Sequence, residues 1–214
     1  MSNTFSPFGF RPFGQQEGTA PTGGMSRYFI ASSDTNSYYT GDVVLLSSAQ
    51  AFGTNPNTIS PLVASSGYVI AGVFVGCEYY NGSVGRTVWN SYFPASVGSS
   101  SPCNAYVIDN PQQLFIAQVS TTTATLIGSS NIGWGIAIAS SVAGNTTTGQ
   151  SGQCLASSVA PTIQSATSPF RVVDVYANFA PPGVNGTSSG SEGANILVVR
   201  PNLWARNSLN AAST

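Results

Sequence analysis

The sequence predicts an all-β fold, an antiparallel β-barrel or jelly-roll-like sandwich with an extended N-terminal arm. Three observations predict it. Short apolar runs rich in Val, Ile, Tyr, Phe and Trp recur along the chain. Turn chemistry separates them. No segment of convincing length repeats apolar residues at helical spacing. The 214 residues fit one unit, because all-β domains routinely reach about 200–250 residues. Hydrophobic residues at 42% supply a core without metals or disulfides, and 11% aromatics exclude a disordered chain.

Residues 1–24 differ from the rest. Phe5, Phe8, Phe10 and Phe13 stand there among Pro7, Pro12, Pro21 and several glycines. Proline and glycine at this density argue against a helix and against regular ladder pairing. A segment so rich in phenylalanine cannot bury its rings alone, so we expect an arm that orders against another surface. The alternative is an arm folded back on its own domain. The expected binding residues are Phe5, Phe8, Phe10, Arg11, Pro12 and Phe13. Arg11 is the only charge in the first sixteen residues, and its guanidinium fork suits a carboxylate at an interface.

Residues 25–214 read as a single β domain. Its apolar runs are 28–31, 43–46, 68–77, 87–89, 106–108, 114–119, 132–138, 170–176 and 196–199. Between them lie Gly41-Asp42, Asn81-Gly82, Asp109-Asn110-Pro111, Gly144-Asn145 and Pro181-Pro182-Gly183, all turn signals. In 132–138, Ile132, Trp134, Ile136 and Ile138 alternate with glycine and alanine, which predicts one large-residue face. Residues 95–104, 146–153 and 181–193 read as loops, and residues 121–127 as one helical turn at most. No internal repeat is present.

Composition narrows the chemistry. The chain has no lysine and no histidine; six arginines and seven acids make 6% of residues, against about 25% in an average domain. Nucleophilic catalysis by Ser or Cys lacks its usual base, and Schiff-base chemistry lacks its lysine. A carboxylate-pair hydrolase would need two acids across a cleft. Asp42 and Asp109 sit in turns, Glu17 and Glu192 in glycine-rich loops, and only Glu78 and Asp174 lie in strand-like runs. Those two are the expected buried acids, with Asp174 paired to an arginine. No phosphate-binding glycine loop or calcium loop occurs, and no cofactor or metal is expected. Cys77, Cys103 and Cys154 are odd in number and far apart, which favours buried thiols and leaves one disulfide open. The expectation is therefore no enzyme.

A net charge of −1 argues against a nucleic-acid partner and against a polybasic membrane anchor. No apolar stretch is long enough to span a bilayer, and no signal peptide is recognisable, so folding in a cytoplasm is expected. A surface of Ser, Thr, Asn, Gln and Gly costs little to desolvate and suits a protein covered by copies of itself or by a larger body. A different reading is a glycan-binding module, since Trp89, Trp134 and Trp204 could stack on sugar rings, although the alternation around Trp134 points to core.

The order of local signatures resembles the head decoration, or capsid cement, proteins of tailed bacteriophages. It rests on Gly9-Phe10-Arg11-Pro12, Tyr28-Phe29-Ile30, Gly41-Asp42-Val43-Val44 and the run 72–79. It continues with Trp89…Phe93-Pro94, Tyr106-Val107-Ile108-Asp109-Asn110-Pro111 with Phe115 and Gln118, Thr148-Gly149-Gln150-Ser151, and 193–199. Relatives often end their last strand in Asn-x-His, where this chain has Arg200-Pro201-Asn202. The resemblance implies a β-barrel or jelly-roll-like viral structural protein on the outer surface of an icosahedral capsid. It would form a homodimer or homotrimer, bridge copies of the major capsid protein against internal DNA pressure, and assemble in the host cytoplasm. The alternative role is a receptor- or glycan-binding module of a virion fibre.

Overall fold

A computed structural model describes residues 6–16, 18, 24–47, 57–62, 70–95, 97, 103–120, 127, 131–160, 168–176 and 196–202, with side chains except at 140–142 and 157–160. Fourteen strands occur among them: β1 (Arg11–Gln15), β2 (Ser26–Ile30), β3 (Tyr38–Tyr39), β4 (Val43–Leu46), β5 (Thr58–Pro61), β6 (Ile70–Asn81), β7 (Arg86–Asn90), β8 (Tyr92–Phe93), β9 (Cys103–Ile108), β10 (Gln113–Gln118), β11 (Gly135–Asn145), β12 (Gln150–Ala160), β13 (Phe170–Val175) and β14 (Ile196–Pro201). The all-β expectation holds.

The strands form two six-stranded sheets and a small ribbon of β3 with β8. One sheet, in the order β4-β5-β2-β9-β6-β7, closes on itself because β4 also pairs with β6. Five strands thus make a barrel, with β7 added outside it. Every pairing in it is antiparallel except β2 with β5. The other sheet, in the order β1-β10-β14-β13-β11-β12, is an antiparallel half-barrel.

Two cores follow. Inside the barrel lie Ile30, Tyr38, Val44, Phe74, Cys77, Ala105 and Val107, all buried. Between barrel and half-barrel lie Phe10, Val43, Val73, Ile108, Phe115, Phe170 and Val199. β4 and β6 contribute to both, so part of the barrel wall is covered on its two faces. This explains why Ile70–Asn81 begins as a nearly unbroken apolar run: a strand covered on both sides has no need to alternate.

The turn signals at 41–42, 81–82, 109–111 and 144–145 fall between or at the ends of strands as expected. Residues 181–193 and 121–126 lie outside the described residues. Three expectations need correction. Residues 11–15 do form a ladder strand, pairing with β10 through Arg11↔Ile116 to Gln15↔Gln113. Pro12 is accommodated because β1 is an edge strand and its register shifts between Pro12 and Gly14. Residues 150–153, the second half of the expected loop 146–153, are strand and belong to β12. The alternation at 132–138 breaks at Gly133, whose φ of +89° sets a turn. Ile132 is exposed there, Trp134 is partly buried, and only Ile136 is fully in the core.

Cys77, Cys103 and Cys154 are free and buried. A hydrogen bond with Cys103 and burial push the Cys77 thiol far up, and burial pushes the Cys154 thiol up. Only the thiolate is nucleophilic, so we expect the native protein to resist a thiol reagent such as DTNB and all three thiols to react after denaturation. Rapid labelling in native buffer would mean that the barrel opens readily.

Candidate interaction surface

The N-terminal arm, the turn before β4 and the hairpin between β11 and β12 meet at one point. Two glycines make the meeting sterically possible. Gly9 has a φ of +74°, and a Cβ there would lie 2.6 Å from Ser151 Cβ and 2.9 Å from Gly41 O. Gly41 has a φ of +96°, and its Cβ would lie 3.1 Å from Phe10 N. L-residues with a side chain rarely adopt such angles.

Backbone bonds then knit the three segments. Phe10 N–H donates to Gly41 O at 2.9 Å, and Gly41 N–H donates to Phe74 O at 2.8 Å. Thr40 N–H donates to Gly149 O at 2.9 Å, and Ser151 N–H donates back to Thr40 O at 3.0 Å. Asp42 lies at the centre, partly buried. Its carboxylate accepts from Tyr39 N–H at 2.7 Å and from the Ser151 hydroxyl at 2.5 Å. Burial pushes its pKa up to about 6, against the lowering effect of those two hydrogen bonds. Gln153 Oε1 accepts from Val43 N–H at 2.8 Å and completes the knot.

This node places the arm. Phe10 is 1% exposed and stacks on Phe170 at 4.8 Å between ring centroids. It is a residue of this chain's own core. Ser6 N–H donates to Gln118 Oε1 at 2.9 Å, so the arm docks at home on both sides of Phe8. The rest of the expected set is placed differently. Arg11, Pro12 and Phe13 are exposed, and Phe8 is partly buried. Arg11 lies over the Phe8 ring at 4.9 Å, and Phe13 meets Tyr176 edge-on at 5.4 Å. Phe5 lies outside the described residues. Beside them opens a cavity of about 380 Å³, lined by Phe8, Pro12, Thr40, Val75 and Gln150 among others, with Arg11 at its wall.

The acids are arranged otherwise than expected. Asp174 is exposed, and among the described residues its carboxylate accepts from Val175 N–H rather than from an arginine. Arg171 donates instead to Gly133 O at 2.9 Å. Glu78 is only partly buried and accepts from the Tyr106 hydroxyl at 3.0 Å. Among the described residues the acid with the lowest exposure is Asp109, at 3%, which accepts from the Tyr28 hydroxyl at 3.0 Å. Asp109, in the turn that joins β9 to β10, is thus drawn inward, and Asp42, partly buried at the node, is desolvated enough to raise its pKa. A Gly-Asp step before an apolar run was the visible signal for Asp42; its partner Ser151, far along the chain, carried none.

Among the described residues no group of three or more His, Cys, Asp and Glu comes together. Of the tryptophans, Trp89 is 54% exposed, Trp134 is partly buried, and Trp204 lies outside the described residues. Comparison of the chain with family models, with curated proteins and with solved structures finds no match in any of the three.

Proposed function

We propose that this protein is a non-catalytic structural protein of a tailed-phage virion, decorating the outside of an icosahedral capsid and cementing neighbouring copies of the major capsid protein. The observation that carries the reading is the edge strand β1, which presents Arg11, Pro12 and Phe13 to the outside next to an open cavity. An edge strand offers unpaired backbone donors and acceptors, and an adjacent aromatic and guanidinium give it a specific anchor. Association as a homodimer or homotrimer at many equivalent positions on a shell would multiply such modest contacts. The stretches behind the sequence resemblance support it too: Gly9-Phe10, Gly41-Asp42 and Gly149-Gln150-Ser151 meet in one node, so the likeness falls on residues that hold this fold together.

The test is co-sedimentation with undecorated, expanded capsids. Because Phe10 belongs to the core, removing residues 1–24 would confound binding with folding. The double variant Arg11→Ala, Phe13→Ala changes only exposed side chains. Wild type is expected to bind saturably, near one copy per capsid subunit, and the double variant about tenfold or more weakly. Failure of the wild type to sediment with capsids defeats the reading.

A further inference from the structure

We propose that the outer face of the barrel around Trp89 is a binding site for a neutral saccharide. This inference is independent of the capsid reading and uses a different surface. Cys77, Tyr79, Ala105 and Val107 fill the barrel, so their neighbours Glu78, Tyr80, Asn104 and Tyr106 must face outward. The register then assembles two adjacent rows across the strands: Trp89 opposite Glu78 and Glu78 opposite Asn104 in one, Gly76 opposite Tyr106 and Tyr106 opposite Arg27 in the other.

Trp89 is held as a platform. A Cβ at position 76 would lie 2.7 Å from Trp89 Cζ2 and 3.1 Å from Cη2, so the Cζ2–Cη2 edge of the indole packs against the bare backbone of Gly76 and only glycine leaves room for it. With that edge seated on Gly76 and 54% of the residue exposed, much of the indole surface is left open to solvent. Tyr106 flanks it at 5.0 Å, inclined by 52°, and is fixed by donating its hydroxyl to Glu78 at 3.0 Å. Tyr80 adds a further exposed ring.

The polar groups select the ligand. Glu78 and Arg27 carry opposite charges, so the face is close to neutral and favours neither a polyanion nor a cation. Ligand cations are held by enclosing aromatics, whereas these rings lie open. A pyranose has an apolar C–H face that lies on an indole. Its rim of hydroxyls needs donors and acceptors, which the Arg27 guanidinium, the Glu78 carboxylate and the Asn104 amide provide around the platform.

The test uses the full-length protein, titrated with maltohexaose, cellohexaose and chitohexaose while tryptophan emission is followed. At least one probe is expected to give a saturable change. Trp89→Ala should weaken its binding about tenfold or more, as loss of an aromatic anchor does. Tyr106→Phe, which keeps the ring and removes its bond to Glu78, should weaken it by a smaller factor, and isothermal titration calorimetry reads both variants directly. Absence of a saturable response to all three probes overturns the proposal, as does unchanged binding by Trp89→Ala. Sedimentation velocity provides the remaining arm: if Trp89→Ala dissociates a wild-type oligomer without a saccharide response, the face is an interface between copies, and the proposal fails. Capsid binding, read through Arg11 and Phe13, is scored separately from all of these.

Discussion

Replacing Phe10 with alanine is expected to cost about 3–5 kcal/mol of folding stability, the range for emptying a fully buried phenylalanine site. The ring is 1% exposed, stacks on Phe170, and through it joins Phe115 at 6.4 Å in the core between the two sheets. The node fixes it by a second route, since Phe10 N–H is bonded to Gly41 O. Relaxation cannot easily fill the space, because Gly9 and Gly41 already hold the backbone at close approach. Removing residues 1–24 should be worse: it takes away β1, strips one side of β10 and uncovers Phe170. Urea midpoints and slopes for wild type, Phe10→Ala and the truncated chain measure this. A loss below about 1 kcal/mol for Phe10→Ala would mean that the arm is not packed at home in solution, and that Phe10 is free to reach a neighbour.

Stability is expected to fall as pH rises through the titration of Asp42. Its pKa in the folded chain, about 6, stands above the ordinary value of 3.8. Between those values the native chain holds a proton that the unfolded chain has released, so raising the pH favours unfolding. The contribution is fully present below about pH 4 and lost above about pH 6, and two units of difference amount to about 3 kcal/mol at most. Asp42→Asn should remove it. The amide oxygen still accepts from Tyr39 N–H, the amide nitrogen donates to Ser151 Oγ, and no charge is buried. The measurement is the difference in urea midpoint between wild type and Asp42→Asn across this range. The variant should gain on wild type as pH rises. A constant difference would show that Asp42 is ionised throughout and that its node tolerates the charge. A gain on neutralisation would also mean that the native sequence keeps a costly carboxylate at the junction of the arm with both sheets.

How the sequence relates to this structure differs by element. The run 43–46 coincides with β4, and 28–31, 87–89, 114–119 and 196–199 fall on β2, β7, β10 and β14 within a residue or two. These are legible because β-branched and aromatic residues at the pleat spacing carry a local preference, and Asn81-Gly82 or Asp109-Asn110-Pro111 punctuate it. β12 was hidden because its first residues, Gln150-Ser151-Gly152-Gln153, lack the apolar alternation of a strand, and the side chains of Ser151 and Gln153 serve the node instead. Arg11–Gln15 was hidden because proline and glycine speak against a strand unless it lies at an edge, and only the folded chain assigns edges.

The sequence by itself determined an all-β chain with a real core, buried thiols as the favoured state of its cysteines, and a surface almost without charge. Those properties follow from composition and short-range pattern. Tertiary structure alone decided that Phe10 belongs to the core while Phe13 does not, that Asp42 is drawn inward while Asp174 is exposed, and that Trp89 packs against Gly76 beside Tyr106. Each depends on partners far away in the chain, such as Phe170 for Phe10 and Ser151 for Asp42. Burial and electrostatics are properties of a neighbourhood, and closing the barrel against the half-barrel is what creates these neighbourhoods.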